Sequence, residues 1–389
     1  MRRDKIYEDL IFSDGFSADD WNVLIKQELG KYLTSDTMLK KNKDLLKIEI
    51  INYIKLHEKP EYLSLFEWMF DFYKECFSTN KERTIRIFAE SFYDISKTDS
   101  KWMTNVLIQT DTTTLSERDR ITCYFDVIDD TLEGVFKPRF MLLDKLVKLK
   151  LNQTVVDNSC YDFGNLIRNF PSQFKNDVNL LLKDPIFLVS TNQWRNIASH
   201  KSYTINTDNI LVKYGKGNSQ SLTISNEDFY RIVYWTQDIY KSVRLAQTLI
   251  CLNYMEEIAA ELGEEVTVDV RFESSLLHIV HNLQIVGFEF DSTEELSEVF
   301  CLNVKGKINH DVVSSLAHAS QCLDQLSSAI FDDEYVRGDF KRTQICIVDE
   351  NQNMLGTATI PIEIAMKKLK DEISLDEYLD KMVFEIKAM

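Results

Sequence analysis

Up to about residue 260 the apolar residues of this chain return every three or four positions, and beyond Gly263 they begin to alternate with polar ones. The first period belongs to helices and the second to strands. The chain is therefore expected to be mainly α, with a smaller α+β region at its C-terminal end. With 389 residues and 44% hydrophobic content it has the length for two or three domains and the apolar material for real cores.

After a candidate cap at Ser17, one helical face gathers Trp21, Leu24, Ile25, Leu29 and Tyr32, and Leu46, Ile50, Tyr53 and Ile54 repeat the pattern. Further helices are expected over 61–77, 83–97 and 99–109. Residues 1–113 thus read as a helical accessory domain with little chemistry; His57 is its only histidine, and a surface position accounts for it. Asp111-Thr112-Thr113-Thr114 is polar, and Ser116 with Asp119 has the spacing of a helix cap, so a second, helical domain is expected over 114–260. Its first helix carries Ile121, Tyr124, Phe125, Ile128, Leu132 and Val135 and should end at Gly134 and Pro138. Helices over about 139–151 and 173–183 follow, then one capped by Asp184 with Pro185 in its first turn. Ile210, Val212, Tyr214, Leu222 and Ile224 around Gly215-Lys216-Gly217-Asn218 read as a hairpin. Ser225 with Asp228 caps a last helix striped by Phe229, Ile232, Val233, Ile239, Tyr240, Val243, Ala246 and Leu249.

Residues 264–389 form the expected α+β domain. Val266, Val268, Val270 and Phe272 alternate with polar residues, as do Leu283, Ile285, Phe288 and Phe290, and all are expected in strands. A helix over about 310–330 and strands near 344–349 and 355–361, joined around Asn351-Gln352-Asn353, complete it.

A net charge of −17 argues against a protein that coats long nucleic acid, which needs a basic face; contact with RNA would have to be local. No run approaches the roughly 20 apolar residues of a membrane span, and the N-terminus turns acidic where a signal peptide would become apolar. A cytoplasmic protein without a membrane partner is expected. Seven cysteines, an odd number without a Cys-x-x-Cys pair, argue against a disulfide framework and a zinc ribbon. His278 and His281 are three apart, with His310 and His318 in the same domain, but no further ligands stand in register, so structural histidines are expected and no metal. Walker, dinucleotide-binding and nucleophile-elbow patterns are absent from the sequence.

One segment carries chemistry: Arg195-Asn196-Ile197-Ala198-Ser199-His200. On a helical wheel with Arg195 at the origin, Ser199 falls at about 40°, Asn196 at about 100° and His200 at about 140°. Trp194, Ile197 and Ala198 fall at roughly 200° to 300°, an apolar face that can anchor the helix. Asn196 and His200 are an i,i+4 pair, a spacing at which the amide can orient the imidazole. An imidazole can move the proton of a ribose 2′-hydroxyl or of the leaving 5′-oxygen, while a guanidinium holds phosphoryl oxygens as charge builds.

The Arg-Asn-x3-His pattern resembles the Arg-x4-6-His motif of the HEPN ribonuclease family, and the resemblance extends over about 115–258 in the order of helices. It implies a HEPN-like helical bundle and a metal-independent endoribonuclease that leaves a 2′,3′-cyclic phosphate, with Arg195 and His200 as the catalytic pair and Asn196 as the supporting polar residue. No cofactor is implied. The partners implied are an RNA substrate, a second copy of the chain in a homodimer, and an antitoxin or sensor; the biological role implied is that of a toxin or antiphage defence effector. Glu133 and Asp129 lie on the first long helix of the unit, where family members often carry a supporting acid; solvated helix faces are the alternative reading of both. Tyr203 departs from the family's His-x-Tyr spacing by one residue, and a packing role is expected for it. Lys201, Lys213 and Lys216 are candidates for local positive charge beside the cleft, with plain solubility residues as the commoner reading of loop lysines. The rival reading is a non-catalytic HEPN-like module used for dimerisation or nucleotide binding.

Overall fold

The computed structural model describes residues 18–34, 39, 43–108, 115–155, 161–263, 272–285, 287–306, 311–332, 336 and 340–387. Ser17, the polar run at 111–114, the alternating Val266, Val268 and Val270, Cys160 and His310 lie outside them. The protein is mostly helical with a C-terminal sheet region, and none of its described helices is long and apolar enough to cross a membrane. Two compact units emerge, one from Ile25–Asn105 with Gln109–Val268, the other centred on Asp269–Met389. The expected accessory and central regions therefore share one helical unit.

In chain order α1 (Ala18–Leu29), which belongs to that unit from Ile25 on, α2 (Lys43–His57), α3 (Pro60–Thr79) and α4 (Lys81–Ile108), which belongs to it through Asn105, come first. The two helices expected over 83–97 and 99–109 are one, because no glycine or proline interrupts them and Thr98 returns its hydroxyl to the Ile95 carbonyl at 2.7 Å. His57 is exposed, its ring edge-on to Tyr53. Ser116 accepts the Asp119 N–H at 3.2 Å and opens α5 (Glu117–Asp129). The helix expected to stop at Gly134 and Pro138 continues through a π-helical segment, Asp130–Phe136, into α6 (Lys137–Lys150). Pro138 has no N–H and its ring would collide with the carbonyl four residues back. The wider π turn absorbs that conflict, and π segments of this kind recur at functional sites.

Then come α7 (Phe163–Asn169), α8 (Asn179–Leu182) and α9 (Thr191–Ser199). The helix expected over 173–183 shrinks to the single turn of α8, because Lys183 leaves it to bridge with Ser190. The hairpin is a three-stranded antiparallel sheet, β1 (Tyr203–Ile205), β2 (Asn209–Tyr214) and β3 (Gln220–Ser225). The Ser225 cap is present, and α10 (Asn226–Asn253) buries its whole predicted stripe, packing along α3, before the short α11 (Met255–Leu262) closes the unit.

A buried charge network ties four of these helices together. Arg139 on α6 and Arg244 on α10 share the Asp99 carboxylate of α4 at 2.6 and 2.9 Å, and Arg244 also meets Glu49 of α2 at 2.6 Å. Gln247 accepts from Arg139 at 2.8 Å and donates to the Tyr73 hydroxyl at 3.1 Å.

The second unit opens with α12 (Phe272–Ile285), where strands were expected. Phe272, Leu276, Ile279, Val280 and Leu283 are all buried, and their spacing of four, three, one and three is a helical face. A five-stranded sheet follows, with β4 (Glu289–Leu296), β5 (Val299–Lys305), β6 (Arg342–Val348), β7 (Met354–Pro361) and β8 (Val383–Ile386) in that order. Only β5 and β6 are parallel. The crossover between them holds α13 (Val312–Ala319) and α14 (Leu323–Asp332), and α15 (Ile362–Leu369) and α16 (Leu375–Lys381) precede β8. The Asn351-Gln352-Asn353 turn closes on Asp349, which accepts from the backbone of Asn351 and Asn353. His278 and His281 lie on α12 and His318 on α13. The six described cysteines are free thiols.

Candidate active site

Residues 195–199 occupy the second half of α9 and His200 caps it, but that helix starts at Thr191, not at Pro185. Asp184 is fully buried, and its two carboxylate oxygens collect the N–H groups of Ile186, Phe187 and Val189 at 2.6 to 2.9 Å. That geometry winds 184–189 into a loop, with Leu188 at φ 59°, which no helix tolerates. Asp184 also accepts the Trp194 indole N–H at 2.9 Å. A buried anion thus fixes the residue beside Arg195, a role different from the cap expected for it. Trp194, Ile197 and Ala198 are buried as the wheel required.

At the other end His200 is the cap residue, at φ −91° and ψ 4°. Lys201 follows at φ 51°, its N–H bonded to the Ala198 carbonyl, while Ser202 N–H reaches the Ile197 carbonyl. This is a Schellman closure made with lysine in the left-handed position that glycine usually takes. It turns the chain into β1 and leaves His200 exposed at the helix end. Two further ties hold the small sheet to α9: Lys213 N–H donates to the Ser202 carbonyl, and Gly215 N–H to the Gln193 side chain at 2.9 Å.

Arg195 does not project freely into solvent. Its side chain is 18% exposed and leans on the π-helical segment, where Glu133 Oε2 sits 3.0 Å from Nε. Neither atom completes an aligned hydrogen bond, so the contact is an ion pair. Glu133 is steadied from its other oxygen by Lys137 Nζ at 2.6 Å. Lys101 runs across Gly134 to meet Asp130 at 3.0 Å; a Cβ on Gly134 would lie 2.8 Å from Lys101 Cε. Burial pushes the Asp129 carboxyl up, and neighbouring Asp130 and Glu133 add to this against the pull of Arg195 and Lys101. Among the described residues neither terminal guanidinium nitrogen of Arg195 makes a hydrogen bond, and its charge also acts on the Asp129 carboxyl.

Comparison with protein-family models, with curated proteins and with solved structures finds no match to this chain.

The geometry brings Arg195 and Glu133 together and separates two other expected partners. Asn196 is half-buried and His200 exposed, and among the described residues no hydrogen bond joins the amide to the imidazole. The backbone register between them is kept, since the His200 N–H bonds the Asn196 carbonyl at 3.0 Å; only the side-chain bond is missing. Tyr203 is a packing residue: its ring stacks on Phe125 at 3.8 Å and 8°, and burial, with Asp126 nearby, raises its hydroxyl pKa. Lys201, Lys213 and Lys216 are all exposed. Sequence reasoning missed Lys101, Lys137 and the anchoring role of Asp184. The available signal was Gly134 and Pro138 inside an unbroken apolar stripe, a sign of a widened helix and not of a terminus.

Proposed function

We propose that this chain is a metal-independent endoribonuclease of the HEPN type that cleaves RNA by internal attack of the 2′-hydroxyl, serving as a toxin or antiphage effector. The observation that carries the reading is the state of Arg195: the Glu133 carboxylate pairs with it at Nε, and neither terminal nitrogen of the fork makes a hydrogen bond among the described residues, as a phosphoryl group would require. A guanidinium oriented before substrate arrives is what transition-state stabilisation requires. His200, exposed on the same short helix, is the proton carrier, and Asn196 supplies a polar contact to the RNA. A single copy offers one imidazole where acid and base are both needed. The proposal therefore includes a homodimer in which two α9 helices face each other across one cleft.

The test is incubation of purified protein with RNA, with and without EDTA, beside Arg195→Ala and His200→Ala. The proposal predicts cleavage that is indifferent to EDTA and lost in both variants; cleavage that needs metal, or that survives both substitutions, contradicts it. One observation favours the rival, a non-catalytic dimerisation or nucleotide-binding module. Asp129, Asp130 and Glu133 gather beside Arg195 and oppose the approach of a polyanion. Intact RNA under every condition supports that second reading.

A further inference from the structure

A second candidate site lies in the C-terminal unit and is independent of the reading of Arg195. At the end of the sheet where β6 begins and β7 runs into α15, a cavity of about 650 Å³ opens to solvent. Its size falls in the range of small-molecule pockets, roughly 300–1,000 Å³. The floor is apolar: Ile330 from α14, Phe340, and Ile362 and Met366 from α15. Ile330, Phe340 and Ile362 are buried in the unit's core, which makes the floor a fixed part of the fold.

The rim is charged, and its balance is unusual for a chain of net charge −17. Four basic residues, Lys341, Arg342, Lys367 and Lys370, stand against three acidic ones, Glu298, Glu363 and Glu372. Two of the acids are already taken, since Lys341 pairs with Glu298 and Lys367 with Glu363. Among the described residues Arg342 and Lys370 have no close ion-pair partner; Arg342 adds to Lys341 in holding the Glu298 carboxyl low and Glu372 adds to Glu363 beside Lys367, so the four cations and three carboxylates of the rim leave one positive charge in excess. A site with an apolar floor and an excess of positive charge at its mouth selects a ligand by both features at once.

We propose that this cavity binds an amphipathic organic anion, an acyl or aromatic body carrying a carboxylate or phosphate head. The body lies on Ile362, Met366 and Phe340 while the head meets Arg342 and Lys370. Arginine suits either head group, because its planar fork matches carboxylate and phosphate oxygens alike.

Isothermal titration of the full chain with decanoate, decyl phosphate and decyltrimethylammonium tests this. Saturable one-to-one binding of at least one anion, at least tenfold tighter than the cation of the same chain length, is expected; the two anions compared with each other identify the head group. Arg342→Glu with Lys370→Glu should weaken the anion at least tenfold. Met366→Trp, which fills the floor, should remove binding, and Lys216→Glu, in the other unit, should leave it unchanged. Circular dichroism and thermal melts confirm that each variant is folded. Equal binding of anion and cation, no binding of either anion, or full affinity in the folded charge-reversal variant overturns the proposal.

Discussion

Replacing Asp99 by asparagine keeps the shape of the residue and removes the anion that holds two buried arginines. One carboxylate oxygen takes Arg139 at 2.6 Å and Arg244 at 2.9 Å, with the Tyr240 hydroxyl donating at 3.3 Å. The Arg139 side chain is 1% exposed and that of Arg244 9%, so neither can reach bulk water once the charge is gone. Glu49 remains, but its ion pair is with Arg244. The cluster passes from neutral to one uncompensated buried cation. Breaking a buried pair in this way costs about 3–5 kcal/mol. Because 35% of the Asp99 side chain still faces solvent, the lower end, about 3 kcal/mol, applies. Arg139→Met should cost a similar amount, yet Asp99→Asn with Arg139→Met restores neutrality, so the double variant should fall short of the sum by about 2 kcal/mol or more.

Urea unfolding followed by tryptophan fluorescence is suited to this test, since four of the five tryptophans, Trp68, Trp102, Trp194 and Trp235, belong to the helical unit, and Trp21→Phe as background removes the one that does not. The effect should also depend on pH. Burial alone would lift the Asp99 carboxyl, but the two guanidiniums outweigh it and hold its pKa below the ordinary value. Its stabilisation is therefore complete above the unfolded-state value of about 3.9 and is lost as pH falls through the lowered native one. Wild type and Asp99→Asn should accordingly converge in acid. Glu49 acts in the opposite sense: burial raises its pKa, so protonation favours the folded state. A cost below about 1 kcal/mol at neutral pH, or strict additivity in the double variant, would refute a desolvated network.

Asp184→Ala removes the acceptor of three backbone N–H groups and the Trp194 indole, and should cost about 3 kcal/mol or more, seen as a lower Tm and a changed tryptophan spectrum. Lys201→Gly relieves the left-handed backbone at φ 51° and should stabilise by about 0.5–1 kcal/mol, raising Tm with no loss of activity. Glu133→Gln leaves Arg195 without its charged anchor; RNA cleavage should drop at least tenfold while the urea midpoint moves little, because Glu133 is 39% exposed.

Legibility in the sequence followed the strength of the local signal. The Ser116 and Ser225 caps and the α10 stripe were readable because hydroxyl spacing and helical periodicity are properties of a few adjacent residues. The Phe272–Ile285 helix was misread because Phe272 continues an alternating run while also opening a helical face, and two residues cannot reveal which period wins. Pro138 was read as a stop because proline ends an α-helix; that the helix can widen instead depends on packing along its length. At the candidate site, Arg195 and His200 were visible as residues, and so was the apolar face behind them. The Glu133 contact was not, since 62 positions separate it from Arg195 and several acids on that helix compete for the role. The Glu49–Arg244–Asp99–Arg139 network, spread over four helices, left no trace in any window of the sequence.

The chemistry of the cleaved ends tests the central claim most directly. An oligoribonucleotide is incubated with the protein in EDTA and the fragments are weighed by mass spectrometry, beside the same oligonucleotide carrying one 2′-deoxy sugar at the cleaved position. Internal attack predicts a 2′,3′-cyclic phosphate and a 5′-hydroxyl, with no cut at the deoxy position and none by Arg195→Ala or His200→Ala. A 5′-phosphate fragment, or cleavage that passes the deoxy sugar, would contradict it.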